Sequence, residues 1–174
     1  MKSNFEGAFS HVMQSEAGYS NNPLDAGGET NLGVTKNAWA AYIGRPVNAG
    51  EMKALTIPVV KPFYKTQYWD KVRGDDLPKG LDYMAFDFAV NAGAVQSIKF
   101  LQRCVGAKDD GILGPITMSK IAQANTRMLI LGFTNQKELF YRELVMRKPS
   151  NEAFLKGWLV RTSTTEAKAM TMLA

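Results

Sequence analysis

With 174 residues, 45% hydrophobic content, 9 Phe, 6 Tyr and 3 Trp, the chain can bury a full core without staples, as one domain or two small packed ones. One cysteine, Cys104, allows no intrachain disulfide, and one histidine, His11, argues against a histidine metal site, a Ser-His-Asp triad or a Cys-His dyad, so no cofactor or metal is expected and carboxylates are left to do any chemistry. The net charge of +5, from 21 Lys and Arg against 16 Asp and Glu, suits an anionic polymer or serves solubility alone; the basic residues are scattered, with no arginine-rich arm, helix-turn-helix or zinc signature, so no nucleic-acid partner is expected.

The first predicted helix follows Ser3-Asn4-Phe5-Glu6, which fits a capping box. Phe5, Phe9, Val12 and Met13 then form one apolar stripe, and Glu16 continues it. A carboxylate on the core-facing side of a helix must be hydrogen-bonded, paired or protonated, and partial burial favours the protonated form that a general acid needs. The plainer reading is a last-turn Glu bonded to the next loop. In that loop Gly18 and Pro23 stop the helix, and Asn21, Asn22, Asp25, Gly27 and Gly28 are turn formers. Thr30 to Val34 reads as one strand of a small hairpin. An acid at a helix end facing a second acid, Asp25, on a compact loop is the arrangement that cleavage of a glycosidic bond asks for, although Asp25 can equally hold its own loop as an Asx turn.

Thr35 can cap a helix over Lys36–Ile43 with Trp39 inward, and Asn48 opens a short helical turn. Thr56 and Pro58 read as cap and early position of a helix running to Trp69, with a kink or late start at Pro62. Its aromatics Tyr64, Tyr68 and Trp69 are core residues or flat faces for sugar rings. Arg73 to Gly80 is a loop. The helix over Leu81–Asn91 is apolar nearly all round and should be central, except that Asp87 and Asn91 share one narrow polar edge; such an edge either holds a structural network or lines a cleft. Val95–Val105 is an amphipathic helix with Cys104 a small core residue, Asp110-Gly111 a turn leading to a helix that starts at Pro115, and two longer helices run from Thr126 to Arg147 and onward from Asn151. No apolar run approaches the roughly 20 residues of a membrane span, and Lys2-Ser3-Asn4-Phe5-Glu6 does not read as a signal peptide.

The segments Glu16-Ala17-Gly18-Tyr19 and Asp25-Ala26-Gly27-Gly28-Glu29-Thr30-Asn31-Leu32-Gly33-Val34-Thr35 resemble the active-site stretch of glycoside hydrolase family 108, N-acetylmuramidases commonly found as phage endolysins. Tyr68-Trp69-Asp70 and Phe86-Asp87-Phe88-Ala89-Val90-Asn91-Ala92-Gly93 match the rest of that catalytic part. Leu101-Gln102-Arg103, Asp110-Gly111-Ile112-Leu113-Gly114-Pro115, Phe140-Tyr141-Arg142 and Lys156-Gly157-Trp158-Leu159-Val160-Arg161 resemble the peptidoglycan-binding region found with it. The family usually has Gly where Ala17 stands. The spacing Glu16, Asp25, Thr30 is also similar to the Glu, Asp, Thr triad of phage lysozymes, one residue shorter between Asp and Thr.

The resemblance implies an all-α, lysozyme-like fold, α+β if a short β-hairpin beside the active site is counted. It implies a catalytic part over 1–93 and a peptidoglycan-binding-like part over 94–174, packed as one compact unit. The implied activity is cleavage of the β-1,4 bond between N-acetylmuramic acid and N-acetylglucosamine, with Glu16 as acid. Asp25 and Thr30 assist it, Thr35 is the rival hydroxyl, and Tyr19, Asn31, Tyr68, Asp87 and Asn91 contact sugar. The expected partner is bacterial peptidoglycan, met by a monomer that is not inserted in a membrane, made in the host cytoplasm and acting in the periplasm after holin-type release. The alternatives are a lytic transglycosylase, a non-catalytic wall-binding module and a basic nucleic-acid-binding domain.

Overall fold

Helical periodicity carries through to the structure, a computed structural model that describes residues 4–16, 18–21 and 28–173. The described residues are mostly helical, with nine α-helices and one two-stranded hairpin: α1 (Phe5–Ser15), β1 (Thr30–Asn31), β2 (Val34–Thr35), α2 (Lys36–Ile43), α3 (Ala49–Lys53), α4 (Ile57–Tyr64), α5 (Leu81–Ala92), α6 (Ala94–Cys104), α7 (Pro115–Gln123), α8 (Thr126–Arg147) and α9 (Glu152–Thr171). Packing divides the chain into two bodies, one of Glu6–Gln67 and one of Tyr68–Ala174 with Met1–Phe5. Among the described residues no helix is long and apolar enough to cross a membrane.

In the Glu6–Gln67 body, α1 buries Ala8, Phe9 and Val12, three positions of one helical face, and the Phe9 ring meets Tyr64 of α4 at 5.5 Å. The Glu6 carboxylate meets Lys61 of α4 at 2.5 Å; Ser3, its expected capping partner, lies outside the described residues. The stretch read as one strand, Thr30 to Val34, holds β1 and the start of β2, which ends one residue beyond it, because Leu32-Gly33 makes a two-residue turn that pairs Thr30 with Thr35 and Asn31 with Val34. The turn needs both central residues at positive φ, and they stand at 50° and 74°. Leucine seldom adopts that conformation, which hid the turn from a reading by turn chemistry. Ser20 bridges to Thr30 on the other side by two 2.8 Å backbone bonds.

Thr35 caps α2 through Ala38 N–H, and Asn48 caps α3 in a full capping box with Glu51. Thr56 occupies the cap position of α4 without a side-chain cap bond, so it serves by backbone alone. After Pro62 the helix loosens into a π-helical turn over Lys65–Trp69, and the Thr66 hydroxyl donates to the Pro62 carbonyl at 3.0 Å.

The second body is built around α5, in which every residue from Leu81 to Ala89 is buried. Phe88 stacks on Phe100 of α6 at 4.7 Å and meets Phe133 of α8 edge-on at 5.8 Å. Phe5, Trp69 and Phe86 form a second ring cluster, with centroids 5.5 to 5.9 Å apart. Truncating Phe86 or Phe88 to alanine would cost about 3–5 kcal/mol through lost transfer energy and the cavity left behind. Gln102, 1% exposed, donates to Asp110 and to the Ile112 carbonyl and accepts from Gly111 N–H, which fixes the aspartate-glycine turn before α7. Cys104 lies half-buried against Gly132, and burial pushes its thiol up to about 11.

Candidate active site

Glu16 stands at the bend immediately after α1, half-buried, where the apolar stripe of that helix runs out. Its carboxylate is packed against the hairpin turn. A Cβ placed on Gly33 would collide with Glu16 Oε2 and would lie 2.5 Å from the Tyr64 hydroxyl oxygen. One acid oxygen, one phenol oxygen and the bare Gly33 backbone therefore share a single small space. Glycine is required there twice over, by its φ of 74° and by the absent side chain. Tyr64 is fully buried in α4 and donates to the Leu32 carbonyl at 2.8 Å, which ties the turn to the helix behind it. A carboxyl group whose position is set by packing on two sides is preorganised for proton transfer in a way that a free surface acid is not.

Alternation along the hairpin decides what its other residues do. Thr30 and Thr35 are directly paired and half-buried on one face, while Asn31 and Val34 are paired on the other and buried. Asn31, expected on the sugar, is 6% exposed and donates to the Met52 carbonyl at 2.8 Å, which joins the hairpin to α3. The Thr35 hydroxyl is engaged in capping α2, which leaves Thr30 as the hairpin hydroxyl without a capping duty. Asp25 lies outside the described residues. Tyr19 is 37% exposed, with Lys53 above its ring at 5.1 Å and its hydroxyl bonded to Glu29 at 3.0 Å. Desolvation and that carboxylate hold the phenol above its ordinary value. Desolvation also works to raise Glu29, but hydrogen bonds from Lys36 and Tyr19 outweigh it and keep the carboxyl below the usual carboxylate range.

The other three expected sugar contacts belong to the second body. Tyr68 is half-buried in the π-helical turn. Asp87 is 2% exposed, and both of its oxygens are occupied: Oδ1 accepts from Arg161 Nη2 at 2.9 Å and Nε at 3.1 Å, Oδ2 from Lys137 Nζ at 3.0 Å and Thr165 Oγ1 at 3.3 Å. Asn91, in the amide orientation its surroundings satisfy, accepts from Arg161 Nε at 2.8 Å. Of the two readings open for this polar edge, the structure shows a buried ionic network that joins α5 to α8 and α9. Both carboxylate oxygens of Asp87 are engaged in that network. Lys137 is fully buried; burial depresses its ammonium, opposed by the attraction of Asp87.

Gly33 and Glu29 do not figure among the expected site residues, and Tyr64, read as a core residue or a flat face for a sugar ring, sends its hydroxyl to a turn 32 residues away, a contact that no pattern in a sequence announces. Glu29 carried a usable signal, a carboxylate beside Thr30 and seven residues before Lys36, whose ammonium it meets at 3.0 Å. Among the described residues no group of three or more His, Cys, Asp or Glu could hold a metal ion.

Comparison with known proteins agrees with this architecture. The family described as Glycosyl hydrolase 108 matches residues 9–93, and the one described as Predicted Peptidoglycan domain matches residues 96–163. Among 12 matching chains of solved structures is SagA of Brucella abortus, 34% identical with a TM-score of 0.86, covering 97% of this chain and 95% of that one. No curated protein matches. The two families meet between residues 93 and 96, whereas packing groups α5 with the helices that follow it, because the rings and the ionic network of α5 are shared with α6, α8 and α9. The chain belongs to glycosyl hydrolase family 108, as a glycoside hydrolase whose second half is a predicted peptidoglycan domain.

Proposed function

We propose that the protein hydrolyses the β-1,4 bond between N-acetylmuramic acid and N-acetylglucosamine in peptidoglycan, with Glu16 as the general acid. The observation that carries this reading is the confinement of the Glu16 carboxylate between Gly33 and Tyr64 at the end of α1. Glu16 gives its proton to the leaving glycosidic oxygen as the bond to the anomeric carbon breaks and positive charge develops on that sugar. Water then adds to the anomeric carbon and surrenders its proton to a carboxylate. Asp25 steadies the developing charge or orients this water together with Thr30. Tyr19 offers a ring to a flanking sugar, and Thr35 shapes the wall beside the hairpin through its capping role. Peptidoglycan as substrate is supported by the two family matches together, a glycosyl hydrolase followed by a peptidoglycan domain.

The test is digestion of purified peptidoglycan followed by mass spectrometry of the soluble fragments. Reducing N-acetylmuramic acid ends are expected from the parent protein, and Glu16→Gln should slow release by about 10²–10⁴-fold with its fold intact, the range lost with a general acid. Anhydro-muramic ends would show a lytic transglycosylase instead, and a Glu16→Gln protein that digests at the parent rate would remove Glu16 from the mechanism.

A further inference from the structure

Glu29, at the foot of the hairpin, takes no part in the proposed chemistry, yet its carboxylate is drawn out of solvent. Its side chain is 8% exposed, whereas that of Lys36, its ion-pair partner, is 38% exposed. A carboxylate in such a place costs free energy unless its oxygens find partners. Oε2 accepts from Lys36 Nζ at 3.0 Å, and Oε1 accepts from the Tyr19 hydroxyl at 3.0 Å. The ion pair accounts for one oxygen only; the other is committed to a phenol whose ring lies at the surface.

Main-chain bonds already close the base of the hairpin without this side chain. The Lys36 N–H donates to the Glu29 carbonyl at 2.8 Å, and Ser20 and Thr30 exchange two bonds of 2.8 Å. What the carboxylate adds is the orientation of the Tyr19 ring. That ring is set at three points: its hydroxyl by Glu29, one face by the Lys53 ammonium 5.1 Å from its centroid, and its main chain by the Ser20–Thr30 bridge one residue on. Tyr19 also follows Glu16 by only three residues, so the held ring and the acid leave α1 on the same segment.

We infer that Glu29 is a positioning residue for the hydrolysis: its carboxylate holds the Tyr19 phenol so that the ring face opposite Lys53 is preformed to receive a sugar of the glycan strand. The inference rests on the proposed hydrolase reading, in which Tyr19 meets a flanking sugar, and adds the group that fixes the ring. The apolar C–H face of a pyranose packs on an aromatic face, and a ring already held has little side-chain freedom left to lose when the sugar binds. Glu29 touches neither the substrate nor the reacting atoms, so its effect falls on affinity and passes through Tyr19.

Initial rates on soluble, uncross-linked peptidoglycan strands, taken over a range of strand concentrations, separate KM from kcat. Glu29→Ala is expected to raise KM about two- to tenfold, the cost of ordering one side chain on binding, with kcat unchanged. Tyr19→Phe keeps the ring and loses the tie; it should raise KM equally, and the double variant no further, because both changes remove the same bond. Glu29→Gln gives up the ion pair with Lys36 but retains an oxygen for the phenol, and as the conservative replacement it should restore the parent KM. A purely structural Glu29 would produce no such split between the two replacements. Parent KM in Tyr19→Phe would overturn the inference even if Glu29→Ala failed to fold, and so would KM shifts that multiply in the double variant. Strands left uncut by the parent protein would overturn the hydrolase reading together with this one, whereas parent KM in folded Glu29→Ala would overturn this one alone.

Discussion

Replacing Gly33 by alanine isolates the contact on which the acid's position depends. The new methyl would sit 2.5 Å from the Tyr64 oxygen and closer still to Glu16 Oε2, where ordinary contact begins near 3.4 Å. A shift of the carboxylate by roughly 1 Å would relieve the clash, and a misplacement of that size can cost about 10²-fold in rate. Alanine at positive φ adds about 1–2 kcal/mol of backbone strain, a fall of about 2–8 °C in Tm for a chain of this size. Gly44→Ala is the matched control, for Gly44 has the same φ of 74° and nothing within 4 Å of its would-be Cβ. Fragment release from purified peptidoglycan and thermal unfolding by circular dichroism, run side by side, should show similar destabilisation in both variants and a rate loss in Gly33→Ala alone. Equal rates in the two folded variants would refute the claim that the hairpin glycine sets the position of a catalytic carboxylate.

Tyr64→Phe keeps the buried ring but removes the bond to Leu32; a loss of about 1 kcal/mol in urea unfolding is expected, with a disproportionate fall in fragment release because the turn is freed beside Glu16. Asp82, 3% exposed, has its carboxyl raised by burial from the ordinary 3.8 to about 6. Because the folded state holds this proton more tightly than the unfolded chain, stability falls as pH rises from about 4 through 6, by up to about 3 kcal/mol in all. Asp82→Asn should therefore raise Tm at pH 8 and leave it nearly unchanged at pH 4, and an equal effect at both would contradict the assigned burial cost. In the α5 network Asp87→Ala leaves two cations facing one another and should cost about 3–5 kcal/mol, whereas Lys137→Met leaves Asp87 paired with Arg161 and should cost clearly less; denaturant titration of both variants would expose the reverse order.

The helices were legible because their apolar spacing, caps and stops are local. Thr35 before α2, Pro115 opening α7 and the all-round apolar character of α5 each follow from residues within one or two turns. The site was legible only in part. Glu16 stood out because a carboxylate continues an apolar stripe, but the groups that hold it, Gly33 and Tyr64, come from a turn and a helix 17 and 48 residues further on. The alternation that turns Asn31 inward could be worked out only once Leu32-Gly33 was known to be the turn, since a one-residue change of register exchanges the two faces. Asp87 illustrates the opposite difficulty. Its buried position was evident from the pattern of α5, but its partners, Lys137 and Arg161, are 50 and 74 residues away on helices that no local pattern ties to α5.

Cys104 is the only thiol in the chain, and burial keeps it almost wholly protonated at neutral pH. Reaction with oxidants, with other thiols or with metal ions runs through the thiolate, so this sulfur is chemically quiet. The fold is then indifferent to redox conditions: the same covalent structure persists in reducing and in oxidising surroundings, with no disulfide to form or to lose.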